Sequence, residues 1–106
     1  MSELTAEDEK IVTLARSSRA RTGGAQGAAV RDDIGRTYAA ATVSLPSLQL
    51  SAIQAAVAAA VSSGSTRFEA VAVVGEADPS DADRALLAEV GSPQLIVADP
   101  SGQPRA

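Results

Sequence analysis

After Thr5, the apolar Ile11, Leu14 and Ala15, with the small Ser18, follow helical spacing. Thr5 reads as the N-cap, with Asp8 three residues on as a weak capping box. Arg16, Arg19 and Arg21 gather late in the segment, where the helix macrodipole favours cations, and Thr22-Gly23-Gly24 predicts its end. The pattern then changes. Gln26 to Arg31 and Arg36 to Val43 are β-prone runs around the turn Asp32-Asp33-Ile34-Gly35, which predicts a hairpin, and Pro46 closes the second run.

Leu50 to Val61 is the most apolar segment, and Leu50, Ile53, Val57 and Val61 form one stripe along it. Alanines cover the other faces, and Gln54 is the single polar residue from Ala52 to Val61. A helix apolar all round is expected to be buried rather than half exposed. Phe68 to Val74, interrupted only by Glu69, fits a strand covered on both faces. Ser80 reads as an N-cap with Asp83 completing the box, for a helix that runs to Val90 and stops at Gly91. Gln94 to Ala98 is a last buried strand before the turn Asp99-Pro100-Ser101-Gly102. The order α-β-β-α-β-α-β implies a three-layer α/β fold, with helices on the faces of a sheet of four or five strands.

Composition narrows the functional classes. The 106 residues suit a single domain, 1–106, with residues 1–4 and 103–106 expected to be flexible. The chain is 45% hydrophobic but has one Phe, one Tyr and no Trp, so Ala, Val, Leu and Ile fill the core. The net charge of −4 argues against nucleic-acid binding, which needs a basic patch. With no Cys and no His, the chain lacks thiolates, the commonest zinc ligand and the commonest general base. The acidic start is no signal peptide, and the longest apolar stretch is far too short to span a bilayer, so no membrane partner and a cytoplasmic location are expected.

Gly27-Ala28-Ala29 begins a resemblance to the small cytidine deaminases, which carry a Val-Gly-Ala-Ala strand, a hairpin and a helix opening with Cys-Ala-Glu. The matching helix here is Ser51-Ala52-Ile53-Gln54-Ala55-Ala56-Val57, and Arg67 to Val74 is similar to the family's third strand. The family's Pro-Cys-Gly-x-Cys-Arg-Gln falls on Pro79-Ser80-Asp81-Ala82-Asp83-Arg84-Ala85, and Leu87 to Gly91 and Leu95 to Ala98 continue the match. The resemblance spans about residues 10–102 and implies a mixed sheet in a cytidine deaminase-like fold. It also implies a homo-oligomer, a tetramer before a dimer, with helices from different subunits meeting near the metal sites. The family's fifth strand and terminal helix have no counterpart, which implies an open sheet edge.

The resemblance places the three zinc ligands at Ser51, Ser80 and Asp83, and the proton-carrying glutamate at Ile53. A neutral hydroxyl is a poor zinc ligand, and an aliphatic side chain moves no proton. The pocket's Phe aligns with Gly24, and its ribose-binding Asn and Glu with Thr42 and Ser44. No cofactor, no metal and no deaminase activity are therefore expected.

Other readings stay open. Ser51 and Ser80 are nucleophile candidates by type, but without His or Cys helix capping is the plainer role. Glu76, Asp78, Asp81 and Asp83 make an acidic cluster, suited to a hard cation or to a solvated helix start. Arg84 is expected either to bond a carboxylate such as Asp81 or to lie free on the surface. Three functions remain: a non-catalytic structural or interaction protein, a small-ligand sensor using the old pocket, and an enzyme of unrecognised type. For the oligomer, the apolar helix at Leu50–Val61 is the expected interface. Ala56→Glu or Val57→Glu should break or unfold it, unless the N-terminal helix covers that face within one chain.

Overall fold

The Thr5 hydroxyl accepts a hydrogen bond from the Asp8 amide at 3.1 Å and starts helix α1, Ala6–Thr22. Gly23, at φ 67°, ends it in the left-handed region that glycine adopts without strain. The Asp8 carboxylate does not complete the capping box. It is buried and meets the Arg31 guanidinium at 3.1 Å, tying the helix to the first strand. The structure, a computed structural model, describes residues 4–105.

Strands β1, Gln26–Asp32, and β2, Thr37–Ala41, form the expected hairpin, with Gly35 at φ 91° in the turn. A second, small hairpin follows, which the sequence pattern does not predict: β3, Val43–Leu45, and β4, Leu48–Leu50, joined by Pro46 and Ser47. Each strand is only three residues long, too short for a period to show. The turn also lacks the positive-φ residues that mark two-residue hairpins. Helix α2, Ala52–Ser62, strand β5, Phe68–Gly75, helix α3, Asp81–Glu89, and strand β6, Gln94–Ala98, complete the chain near their expected bounds.

The main sheet is mixed, in the order β2-β1-β5-β6. β1 runs antiparallel to both neighbours, whereas β5 and β6 are parallel and joined through α3. Strand alternation sorts the core into two halves. Ile11, Val12 and Ala15 of α1 pack with Ala29, Ala70, Ala72, Val74 and Ile96 on one face. On the other, Ile53, Ala56 and Val57 of α2 and Leu87 of α3 pack with Ala28, Val30, Val71 and Val73. This is the three-layer α-β-α arrangement. Its small residues permit close approach: a Cβ on Gly27 would lie 2.0 Å from the Ala15 carbonyl oxygen of α1.

Helix α1 lies across the sheet from α2, so it does not cover the outer face of α2. That face presents Ala58, Ala59 and Val61 to solvent, the last 50% exposed. Ala56 and Val57, by contrast, point into the core, so substituting them probes folding rather than an interface. Asp99 nucleates a tight return in which residues 103–105 bond back to β6, with the Arg105 amide donating to the Val97 carbonyl at 2.7 Å. Leu4 packs against the α1 side of the core, while residues 1–3 and 106 lie outside the described residues.

A buried anion braces the far end of the molecule. Asp32 is fully enclosed and accepts hydrogen bonds from the Ser65 hydroxyl at 2.7 Å and from the Arg36 amide and guanidinium, both at 2.8 Å. Burial pushes its carboxyl up, but the bonds from Ser65, Arg36 and the Ile34 amide outweigh it and hold the carboxyl down at about 2.

Candidate functional site

Helices α2 and α3 begin side by side, and each opens with a full capping box. The Ser51 hydroxyl accepts from the Gln54 amide at 3.0 Å, and the Gln54 side chain accepts from the Ser51 amide at 2.9 Å. The Ser80 hydroxyl accepts from the Asp83 amide at 3.0 Å, and the Asp83 carboxylate accepts from the Ser80 amide at 3.4 Å. The boxes are locked together by the Ser51 hydroxyl, which donates to Asp83 Oδ1 at 2.6 Å. Asp83 is only 2% exposed. A carboxylate there sits at the positive ends of two helix dipoles and accepts a hydrogen bond from each helix start.

The structure thus brings Ser51, Ser80 and Asp83 together, 32 residues apart across the Ser51–Asp83 bond. Ile53, two residues into α2's cap sequence, turns the other way and is fully buried in the core. Beside the interlocked caps opens a cleft of about 440 Å³, which Thr42, Ser44, Ser51, Ser80 and Asp83 all line. Gly24 does not line it; Ala25 and Gln26 stand there instead. Gln26 and Asp78, and Gln49 of the unforeseen hairpin, complete its polar lining. Asp78 belongs to the acidic cluster already visible in the sequence, whereas no motif singles out Gln26 or Gln49.

Few of these groups are free. The Thr42 hydroxyl is bound to the Gln26 backbone, accepting from its amide at 3.1 Å and donating to its carbonyl at 3.3 Å. The acidic cluster does not converge. Asp83 is buried in the caps, Asp78 pairs with Arg105 at 2.9 Å, and Glu76 and Asp81 are exposed. Among the described residues, no three His, Cys, Asp or Glu side chains are grouped to hold a metal ion. Arg84 makes no ion pair with Asp81; two exposed charges on a helix gain little by pairing in water. As a donor set for zinc, two neutral hydroxyls and one carboxylate, all engaged in capping, do not fit a metal that takes thiolate, imidazole or free carboxylate.

A family model described as cytidine deaminase-like matches residues 4–102. The chain belongs to that family. Solved structures agree with the match. The cytidine deaminase from Burkholderia pseudomallei superimposes with a TM-score of 0.79 at 26% identity, covering 96% of this chain and 91% of its own. The cytidine deaminase from Mycobacterium tuberculosis gives 0.74 at 28% identity, covering 95% and 90%. That from Mycobacterium leprae gives 0.72 at 25% identity, covering 94% of each. A comparison with curated protein sequences finds no match. The mixed sheet, with α1 on one face and α2 and α3 on the other, is therefore a cytidine deaminase-like fold. No helix among the described residues is long and apolar enough to cross a membrane.

Proposed function

We propose that this cytidine deaminase-like chain is a non-catalytic member of its family that acts as a structural or interaction protein within a homo-oligomer, a tetramer rather than a dimer. The observation that carries the reading is the bond between Ser51 and Asp83. The site resembles a zinc centre in position only: its groups satisfy two helix starts and leave no ligand set to activate water. The position matched to the proton-carrying glutamate is held by Ile53, which the sheet needs for packing. The oligomer rests on the exposed Ala58, Ala59 and Val61 of α2, an apolar stripe whose small side chains allow another helix to approach closely.

The test is an assay for conversion of cytidine and deoxycytidine to uridine and deoxyuridine, paired with elemental analysis of the purified protein. Neither product above a no-protein control, and no stoichiometric zinc, is the expected outcome. One equivalent of zinc or measurable turnover would overturn the reading. A second reading, a small-ligand sensor, is favoured by the cleft, whose volume lies in the range of small-molecule sites. Against it stands the Thr42 hydroxyl, already committed to Gln26. NMR titration separates the two. Binding of cytidine and uridine no tighter than about millimolar, roughly 4 kcal/mol, supports the first. Saturable shifts at Gln26, Ser51 and Asp78 with micromolar nucleoside would establish the second.

A further inference from the structure

The loop between β5 and α3, residues 76–80, forms one wall of the cleft through Ala77, Asp78 and Ser80. It lies beyond the end of β5, so the sheet does not hold its carbonyl groups. Side chains from elsewhere do. Gln26 donates to the Ala77 carbonyl at 3.2 Å. Arg105 does more: its guanidinium donates to the Glu76 carbonyl at 2.9 Å and the Ala77 carbonyl at 3.1 Å, and meets the Asp78 carboxylate at 2.9 Å. The planar fork of arginine matches such a set of adjacent acceptors, which a single ammonium cannot span.

Arg105 reaches this loop because the tail is folded back on itself. Asp99 Oδ1 accepts from the Ser101 amide, the Ser101 hydroxyl and the Gln103 amide, at 2.9, 2.6 and 3.0 Å. Gly102, at φ 91°, completes the turn, and the Asp99 amide donates to the Gln103 carbonyl at 2.8 Å. The Arg105 amide then pairs with Val97 at the edge of β6. Turn, edge pairing and guanidinium act in series.

We propose that residues 99–105 form a latch that sets the cleft wall, with Arg105 as the positioning residue and the Asp99 turn as its hinge. Releasing the latch frees Ala77 and Asp78 and changes the mouth of the cleft, whatever the cleft binds. Amide 15N relaxation tests this in the full chain, with Arg105→Ala and Asp99→Ala compared with the parent. In both variants the order parameters of Ala77 and Asp78 should fall from about 0.85 to below about 0.6, while those of β1 and β5 stay near the rigid value. Parent-like order at Ala77 and Asp78 in Arg105→Ala would overturn the latch. So would a loss of order that spreads through β1 and β5. Loosening in Arg105→Ala but not in Asp99→Ala would overturn the role given to the turn, and with it the proposal.

Discussion

Replacing Ser51 and Asp83 by alanine, singly and together, probes the interlocked helix starts directly. Ser51→Ala removes the cap of α2, worth about 1 kcal/mol. It also removes the donor at 2.6 Å from a carboxylate that is 2% exposed. A hydrogen bond to a charged group contributes roughly 1.5–3 kcal/mol, and a buried acceptor left short of donors adds to the loss. A destabilisation of about 2–3 kcal/mol is expected. Asp83→Ala should cost a similar 2–3 kcal/mol, since it strips the α3 box and the favourable charge at two helix N-termini. Both single variants break the same bond, so the double variant should lose less than the sum. We expect a coupling of about 1–2 kcal/mol in the cycle. Urea unfolding followed by far-UV circular dichroism is the suitable assay, because the chain has no Trp and a single Tyr. Protein concentration must be held constant, since the proposed association would contribute to apparent stability. Additivity within about 0.5 kcal/mol would show that the two caps act independently and would refute the interlock.

Asp32 predicts an acid-sensitive stability. Its folded value of about 2 lies below the ordinary 3.8, so between these the unfolded chain binds more protons. Its contribution is present above about pH 4 and is lost as pH falls toward 2; Asp32→Asn should flatten that part of a urea-midpoint profile against pH. A profile of unchanged slope would contradict the assignment. Gly27→Ala should destabilise by about 3 kcal/mol or prevent folding, because the new methyl would meet the Ala15 carbonyl oxygen at 2.0 Å; a parent-like urea midpoint would show that α1 can shift. Ala58→Glu and Ala59→Glu should lower the mass seen by light scattering while the circular dichroism spectrum stays native. Ala56→Glu, inside the core, should instead unfold the chain. A parent mass in both outer variants would show that this face is not the interface of the proposed oligomer, and a monomeric mass for the parent would reject the oligomer.

Local chemistry made much of this protein legible from its sequence. The Thr5, Ser51 and Ser80 caps depend on residues three apart, and all three form as expected. The buried strand at Phe68–Val74 announces itself by a continuous apolar run, and its two faces meet different helices. The absence of His and Cys bounded the chemistry before any fold was known. What the sequence left open depends on distance and direction. The β3–β4 hairpin is too short for periodicity and turns without Gly or Asn. The apolar pattern of α2 is the same on all sides, so only packing against the sheet decided that Ala56 and Val57 face inward while Ala58 and Ala59 face water. Among the residues that line the cleft, Ala25 and Gln26 follow from the course of the chain into β1, which no motif displays. The bond from Ser51 to Asp83 crosses 32 residues, and the Arg105 contacts cross 28 and 29. Capping and alternation are decided by neighbours along the chain, which a sequence displays. Contacts of this range exist only after the sheet has brought helix starts, loop and tail into register, and that arrangement belongs to the tertiary structure.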